Sequence, residues 1–92
     1  MYARIATFEG ATGIDEVAQS IRESDRPEGL PATAVYLMAD REAGKVVTVT
    51  FFATEEDLRL GNETLNTMAP PGGGLGRRVS VDLMEVVAQL SE

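Results

Sequence analysis

The apolar residues of this chain change their spacing from one segment to the next, and each change marks an element. The opening run YARIATF (Tyr2–Phe8) is short, β-compatible and closed by Glu9-Gly10, which predicts a strand. In ATGIDEVAQSIRES, Ile14, Val17, Ala18 and Ile21 recur at i, i+3, i+4 and i+7, one stripe of an amphipathic helix. Thr12 is the expected N-cap, Asp15 suits the positive helix end, and Pro27 stops the helix within the linking loop RPEGLPAT. TAVYLMAD (Thr33–Asp40) and KVVTVTFFA (Lys45–Ala53) read as strands joined by the tight turn REAG, where Gly44 can take positive φ.

Thr54 is placed to cap a second helix, TEEDLRLGNETLNTM, whose first turn carries three acids where the macrodipole favours them. Its apolar stripe is Leu58, Gly61, Leu65 and Met68. A glycine-rich stretch follows, and RRVSVDLMEVVAQL supplies a fourth strand. The order is therefore β-α-β twice over. With right-handed crossovers this gives an α+β, ferredoxin-like βαββαβ plait with an antiparallel sheet of order 4-1-3-2 and both helices on one face.

The face under the helices is expected to carry Ile5, Val47, Val49, Phe51, Val79, Val81 and Leu83. The other parity holds Tyr2, Phe8, Tyr36, Met38, Val46, Phe52, Met84 and Val86. A face left to water should alternate with polar residues. Here both parities are apolar, so the second sheet face is expected to meet a partner, and a homodimer packed sheet to sheet is the physical inference.

Composition narrows the picture. At 92 residues the chain is one domain, residues 1–92, with a thin core and no cysteine to staple it. Its lack of histidine removes the common zinc and haem-iron ligand sets, so neither metal nor cofactor is expected. Fifteen acids against eight bases leave a net charge of −7, which argues against nucleic acid; Arg77 and Arg78 form the only adjacent basic pair. No apolar run has the length of a membrane span, and the expectation is a soluble cytoplasmic protein.

MYARIATFEG at the start, YLMADREAGKVVTVTFFATEEDL in the middle and the closing MEVV resemble the antibiotic-biosynthesis-monooxygenase-like proteins of the dimeric α/β-barrel superfamily. The resemblance covers nearly the whole chain, and the hairpin running into the capped helix is its most specific part. It implies two plaits whose sheets close into a barrel with the helices outside, and a pocket within each subunit between sheet and helices. It also implies a cofactor-independent monooxygenase acting on an aromatic or quinol-like substrate, with a helix-borne Asn near Trp, Tyr, His or Arg. The chain has Asn62 and Asn66 on its second helix but neither Trp nor His. The alternative is a non-catalytic dimeric module, structural or regulatory, with a filled core.

Asn62 is the candidate catalytic residue. Its amide is suited to hold a ligand oxygen or to set dioxygen against an enolate, the substrate supplying the electrons. Asn66 follows one turn later on the same edge of the stripe. Arg4, Tyr36 and Thr50 complete the candidate ligand-binding set. For Arg4 the structural reading is an ion pair with Asp82 in the barrel interface, with Thr48 or Thr50 taking further donors; the alternative is an anion or substrate site. Tyr36 reads as a dimer-rim residue or a ligand donor, and Gly61 as a point of close packing or an opening for a ligand. Met38, Met68 and Met84 with Phe8, Phe51 and Phe52 read as core, or as the lining of an adaptable apolar pocket.

The stretch MAPPGGGLGRR (Met68–Arg78) invites a phosphate-loop reading, but a helix precedes the glycines and a strand follows, the reverse of what a P-loop or dinucleotide fingerprint requires. It is expected to be a flexible connector, with a lid carrying Arg77 or Arg78 to an anion as the alternative.

Overall fold

The structure, a computed structural model, describes residues 1–23, 30–67 and 74–90. Four strands, β1 (Tyr2–Glu9), β2 (Ala32–Asp40), β3 (Lys45–Phe52) and β4 (Arg77–Glu85), alternate with α1 (Ile14–Glu23) and α2 (Glu55–Thr67) in the expected βαββαβ order. All neighbours are antiparallel and the sheet order is β2-β3-β1-β4, the expected 4-1-3-2 read from its other edge. It is a small α+β fold with a ferredoxin-like-compatible arrangement. Among the described residues no helix is long and apolar enough to cross a membrane.

The β2–β3 hairpin closes as its sequence requires. Gly44 takes φ +65°, and the Ala43 amide donates to Asp40 Oδ1 at 3.3 Å. Thr54 caps α2: its Oγ1 accepts the Asp57 amide at 3.1 Å and its carbonyl accepts the Leu58 amide at 3.0 Å. At α1 the cap falls one residue later than expected. Gly13, not Thr12, gives its carbonyl to Val17, and the Thr12 and Gly13 amides both donate to the carbonyl of Gly74. The fourth strand ends at Glu85, and residues 86–90 run on outside regular structure.

Directly paired residues share a sheet face, so the register fixes which parity meets the helices. Tyr2 pairs with Phe52, Phe8 with Val46, and Arg4 with Thr50. Two apolar clusters lie on that face. Under α1, Ala6, Phe8, Val46 and Leu75 pack around Val17, while under α2, Leu30, Ala32 and Phe52 pack around Leu58. The expected assignment is therefore reversed on the two central strands: Ile5, Val47, Val49 and Phe51 line the open face, and Tyr2, Phe8, Val46 and Phe52 lie under the helices. On the edge strands Val81, packed on the α1 cluster, and Tyr36, Met38 and Met84 fall on their expected sides.

Gly61 lets α2 settle directly on the sheet. A Cβ there would lie inside the contact distance of the Phe52 ring, so close packing is the reason for glycine rather than an opening for a ligand. The end of the glycine-rich stretch is equally packed. Gly74 rests against the Gly13 backbone, a Cβ would meet Gly13 O at 2.8 Å, and Leu75 is buried beside Phe8 and Val17. Gly76 takes φ +83° against Glu9 and Gly10. The glycines at 74 and 76 thus allow backbone to approach backbone and seat a core leucine, which corrects the expectation of a flexible connector at this end of the stretch. The rest of the stretch, up to residue 73, lies outside the described residues, as does Met68, so the alternative of a lid falls there.

Candidate functional site

Between the two apolar clusters the helix-covered face turns polar. Along β1 it runs Tyr2, Arg4, Ala6, Phe8, and along β3 Phe52, Thr50, Thr48, Val46. Arg4 and Thr50 stand directly opposite each other and are 4% and 3% exposed. A buried guanidinium must have its donors met, because removing it from water uncompensated costs several kcal/mol.

The partners come from α2. Arg4 Nε donates to Asn62 Oδ1 at 2.9 Å and Arg4 Nη2 donates to Asn66 Oδ1 at 3.1 Å. Four residues apart, the two asparagines stand one turn above each other on the same helix edge, matching the spacing of the guanidinium fork. Arg78, at the start of β4, reaches the same point: its Nη1 donates to Asn66 Oδ1 at 2.9 Å. The inner end of the cluster is buried at Arg4 and the outer end, Asn66 and Arg78, is exposed.

This geometry determines how the amides face. Arginine has no acceptor, so both amide oxygens must turn toward the guanidiniums and both NH2 groups away from them. What the cluster offers to anything else is therefore mainly donors: the amide NH2 groups, Arg4 Nη1 and the rest of Arg78. Burial, with the nearby positive charge of Arg78 second, pushes the Arg4 pKa down. Among the described residues the one ion pair is Arg41–Asp15, on the surface at 2.8 Å, so no described carboxylate pairs with Arg4 or Arg78.

The expected Arg4–Asp82 pair does not form. Asp82 stands opposite Ile5 and projects to the open face, whereas Arg4 stands opposite Leu83 on the helix side. For the same reason Arg4 does not lie in the open sheet surface where a barrel interface was expected. Thr50 is Arg4's cross-strand neighbour, but the Arg4 guanidinium donates to the two asparagines and not to Thr50. Arg4, Thr50, Asn62 and Asn66 are thus brought together, and Tyr36 is on the other side of the sheet. Arg78, foreseen only as an anion contact on a lid, is held in the cluster from a strand.

The open face carries a groove of about 490 Å³. Tyr36, Met38, Val49 and Phe51 form its floor, and Met1, Val86 and Gln89 help to wall it. The Phe51 ring meets Tyr36 edge-on at 5.9 Å, and the Val86 amide donates to the Met1 carbonyl at 2.9 Å, bringing the C-terminal segment alongside. Phe8 and Phe52 are core residues, as expected. Met38 and Met84 are instead half-exposed on the open face.

Fold and cluster together define a small α+β protein with a ferredoxin-like-compatible sheet and a donor-rich polar seam beneath its second helix. Compared with protein-family models, curated proteins and solved structures, the chain matches none of them.

Proposed function

We propose that two copies of this chain pair through their open sheet faces into a dimeric α/β barrel, and that each binds a small apolar or aromatic molecule beside Asn62. The observation that carries the ligand reading is the strap from buried Arg4 to Asn62 and Asn66. A thin core gains nothing from a buried cation that apolar packing would not give, whereas a fixed donor array is what a ligand oxygen requires. The pairing is supported by the distribution of apolar residues. On the central strands the helices cover the face broken by Arg4, Thr48 and Thr50, while Ile5, Val47, Val49 and Phe51, interrupted there by Thr7, are left outside with half-exposed Tyr36 and Met38.

The chemistry proposed is that of the resemblance, a cofactor-independent monooxygenation of a quinol-like ring. One oxygen atom of O2 enters the ring, the other leaves as water, and all four electrons come from the substrate, which ends as a hydroxyquinone. The Asn62 amide N–H groups would stabilise the enolate oxygen as charge develops on it. The test is aerobic incubation with hydroquinones and polycyclic phenols while oxygen uptake is followed. Uptake that falls at least tenfold in Asn62→Ala is the expected result; no consumption above the protein-free rate overturns the activity.

A non-catalytic module is the second reading, favoured by the contact of Gly61 with Phe52, which leaves no space at that turn of α2. For the pairing, sedimentation at micromolar concentration is expected to give a dimer and Met38→Lys a folded monomer. A monomeric parent chain would sink the barrel.

A further inference from the structure

The donor-rich cluster carries positive charge that no described acid pairs. Arg4 and Arg78 converge on one acceptor, Asn66 Oδ1, at 3.1 and 2.9 Å, which brings two guanidiniums side by side. The chain has 15 acids for 8 bases, yet none of the described acids forms an ion pair with either arginine. On the helix side of β4, Arg4 faces Leu83, and the nearest acid along that parity, Glu85, stands opposite Tyr2 instead. Asp82, one residue from Leu83, lies on the other face. Acid composition alone would have supplied a counter-charge cheaply, and the position where it belongs is occupied by amides.

Amides fix the guanidiniums in place without neutralising them. Each oxygen accepts from arginine, and each NH2 is turned outward as a further donor. Two like charges held together by neutral acceptors, one buried and one exposed, form a receptor for an anion entering from the Asn66–Arg78 end. Resting on the small-molecule reading above, we infer that the ligand is an organic anion, an aromatic carboxylate whose two oxygens sit between Arg4 and Arg78 with the Asn62 and Asn66 amide groups donating to it. A planar carboxylate matches the donors that Arg78 has left after its bond to Asn66, with Arg4 Nη1 as the further donor. The low exposure of Arg4 strengthens the attraction, since charge-assisted bonds weaken with solvent access.

The experiment uses the full chain and a panel of matched pairs, such as 1-hydroxy-2-naphthoate with 1-naphthol and benzoate with benzyl alcohol, plus inorganic phosphate. Binding is read by calorimetry and by NMR of the Asn62 and Asn66 side-chain amides. Each carboxylate is expected to bind about tenfold or more tighter than its neutral partner, the scale of one charge-assisted hydrogen bond. Arg78→Gln, at an exposed position, should fold normally and bring the pair within about threefold, while Arg77→Gln, at the neighbouring position, should leave the preference intact. Neutral partners binding as tightly as the carboxylates would overturn the anion while leaving a small-molecule site. Phosphate binding as tightly as the carboxylates would overturn the aromatic class, and no binding by any probe would overturn both readings.

Discussion

Replacing Gly61 with alanine isolates the packing that seats α2. On helix propensity alone the change should stabilise, since glycine in a helix interior costs about 1 kcal/mol against alanine. The structure predicts the opposite sign. The new methyl would overlap two atoms of the Phe52 ring, and that ring is fully buried among Leu30, Ala32 and Leu58, with nowhere to retreat. Overpacking of this kind costs about 1–3 kcal/mol, and contact with a rigid ring belongs at or above the upper end. After the helix gain is subtracted, the expected net loss is about 2 kcal/mol. For a domain of this size that lowers the melting midpoint by about 8–16 °C. Urea and thermal unfolding followed by circular dichroism measure it directly. Phe52→Leu supplies the internal control: with the ring gone, Gly61→Ala should become neutral or stabilising, a coupling of about 2–3 kcal/mol across the cycle. A Gly61→Ala protein as stable as the parent, or additive behaviour with Phe52→Leu, would refute the close approach.

Thr54→Ala should cost about 1 kcal/mol in urea unfolding by freeing the Asp57 amide, whereas Thr54→Asp should retain the stability. Arg4→Lys should not preserve the seam, because an ammonium cannot span both amide oxygens; a loss of about 1–3 kcal/mol is expected, and parent-like unfolding would argue against the strap. The hydrogen bond from Arg41, then its charge, holds the Asp15 pKa below its ordinary 3.8, so this carboxylate favours the folded state above that value and loses the contribution as pH falls through its lower folded value. Both groups are exposed, so Asp15→Asn should flatten only a small, salt-sensitive part of the acid limb at and below the ordinary carboxylate range, and a large change that survives high salt would contradict the geometry.

The element order, the hairpin turn and the α2 cap were legible because each rests on local chemistry: alternating β-branched residues, a glycine at positive φ, and a threonine ahead of three acids. Facing was not legible, for a physical reason. On β3, Val47, Val49 and Phe51 alternate with Thr48 and Thr50, so binary patterning buries the valines beneath the helices. The fold instead uses Val46 and Phe52, at the two ends of the strand, to anchor the two clusters, and spans the gap with threonines and Arg4. One signal pointed this way. Tyr2 and Phe8 flank Arg4 on its own parity, so that parity holds the bulkiest residues of β1 and the arginine lies in their row.

The same shift changes what the candidate residues mean. Placed on an open face, Arg4 needed an acid from a neighbouring strand, and Asp82 was the available one. Under α2 it meets two asparagines that the helix repeat had already put on one edge, so residues picked for separate reasons become one hydrogen-bonded unit. Arg78 joins them because Leu75, three residues before it, is locked into the α1 cluster while Gly74 and Gly76 pack on the turn before α1. The glycine-rich stretch therefore contributes to the cluster by position: its packed end fixes where β4 begins, and so where the second guanidinium stands. Lengthening this segment between Leu75 and Arg78 should separate Arg78 from Asn66 while leaving Arg4 on its amides. Loss of the carboxylate preference in such a variant, with the Asn62 amide signal unchanged, would assign that preference to the placement of Arg78; a preference that survived would detach it from the glycines altogether.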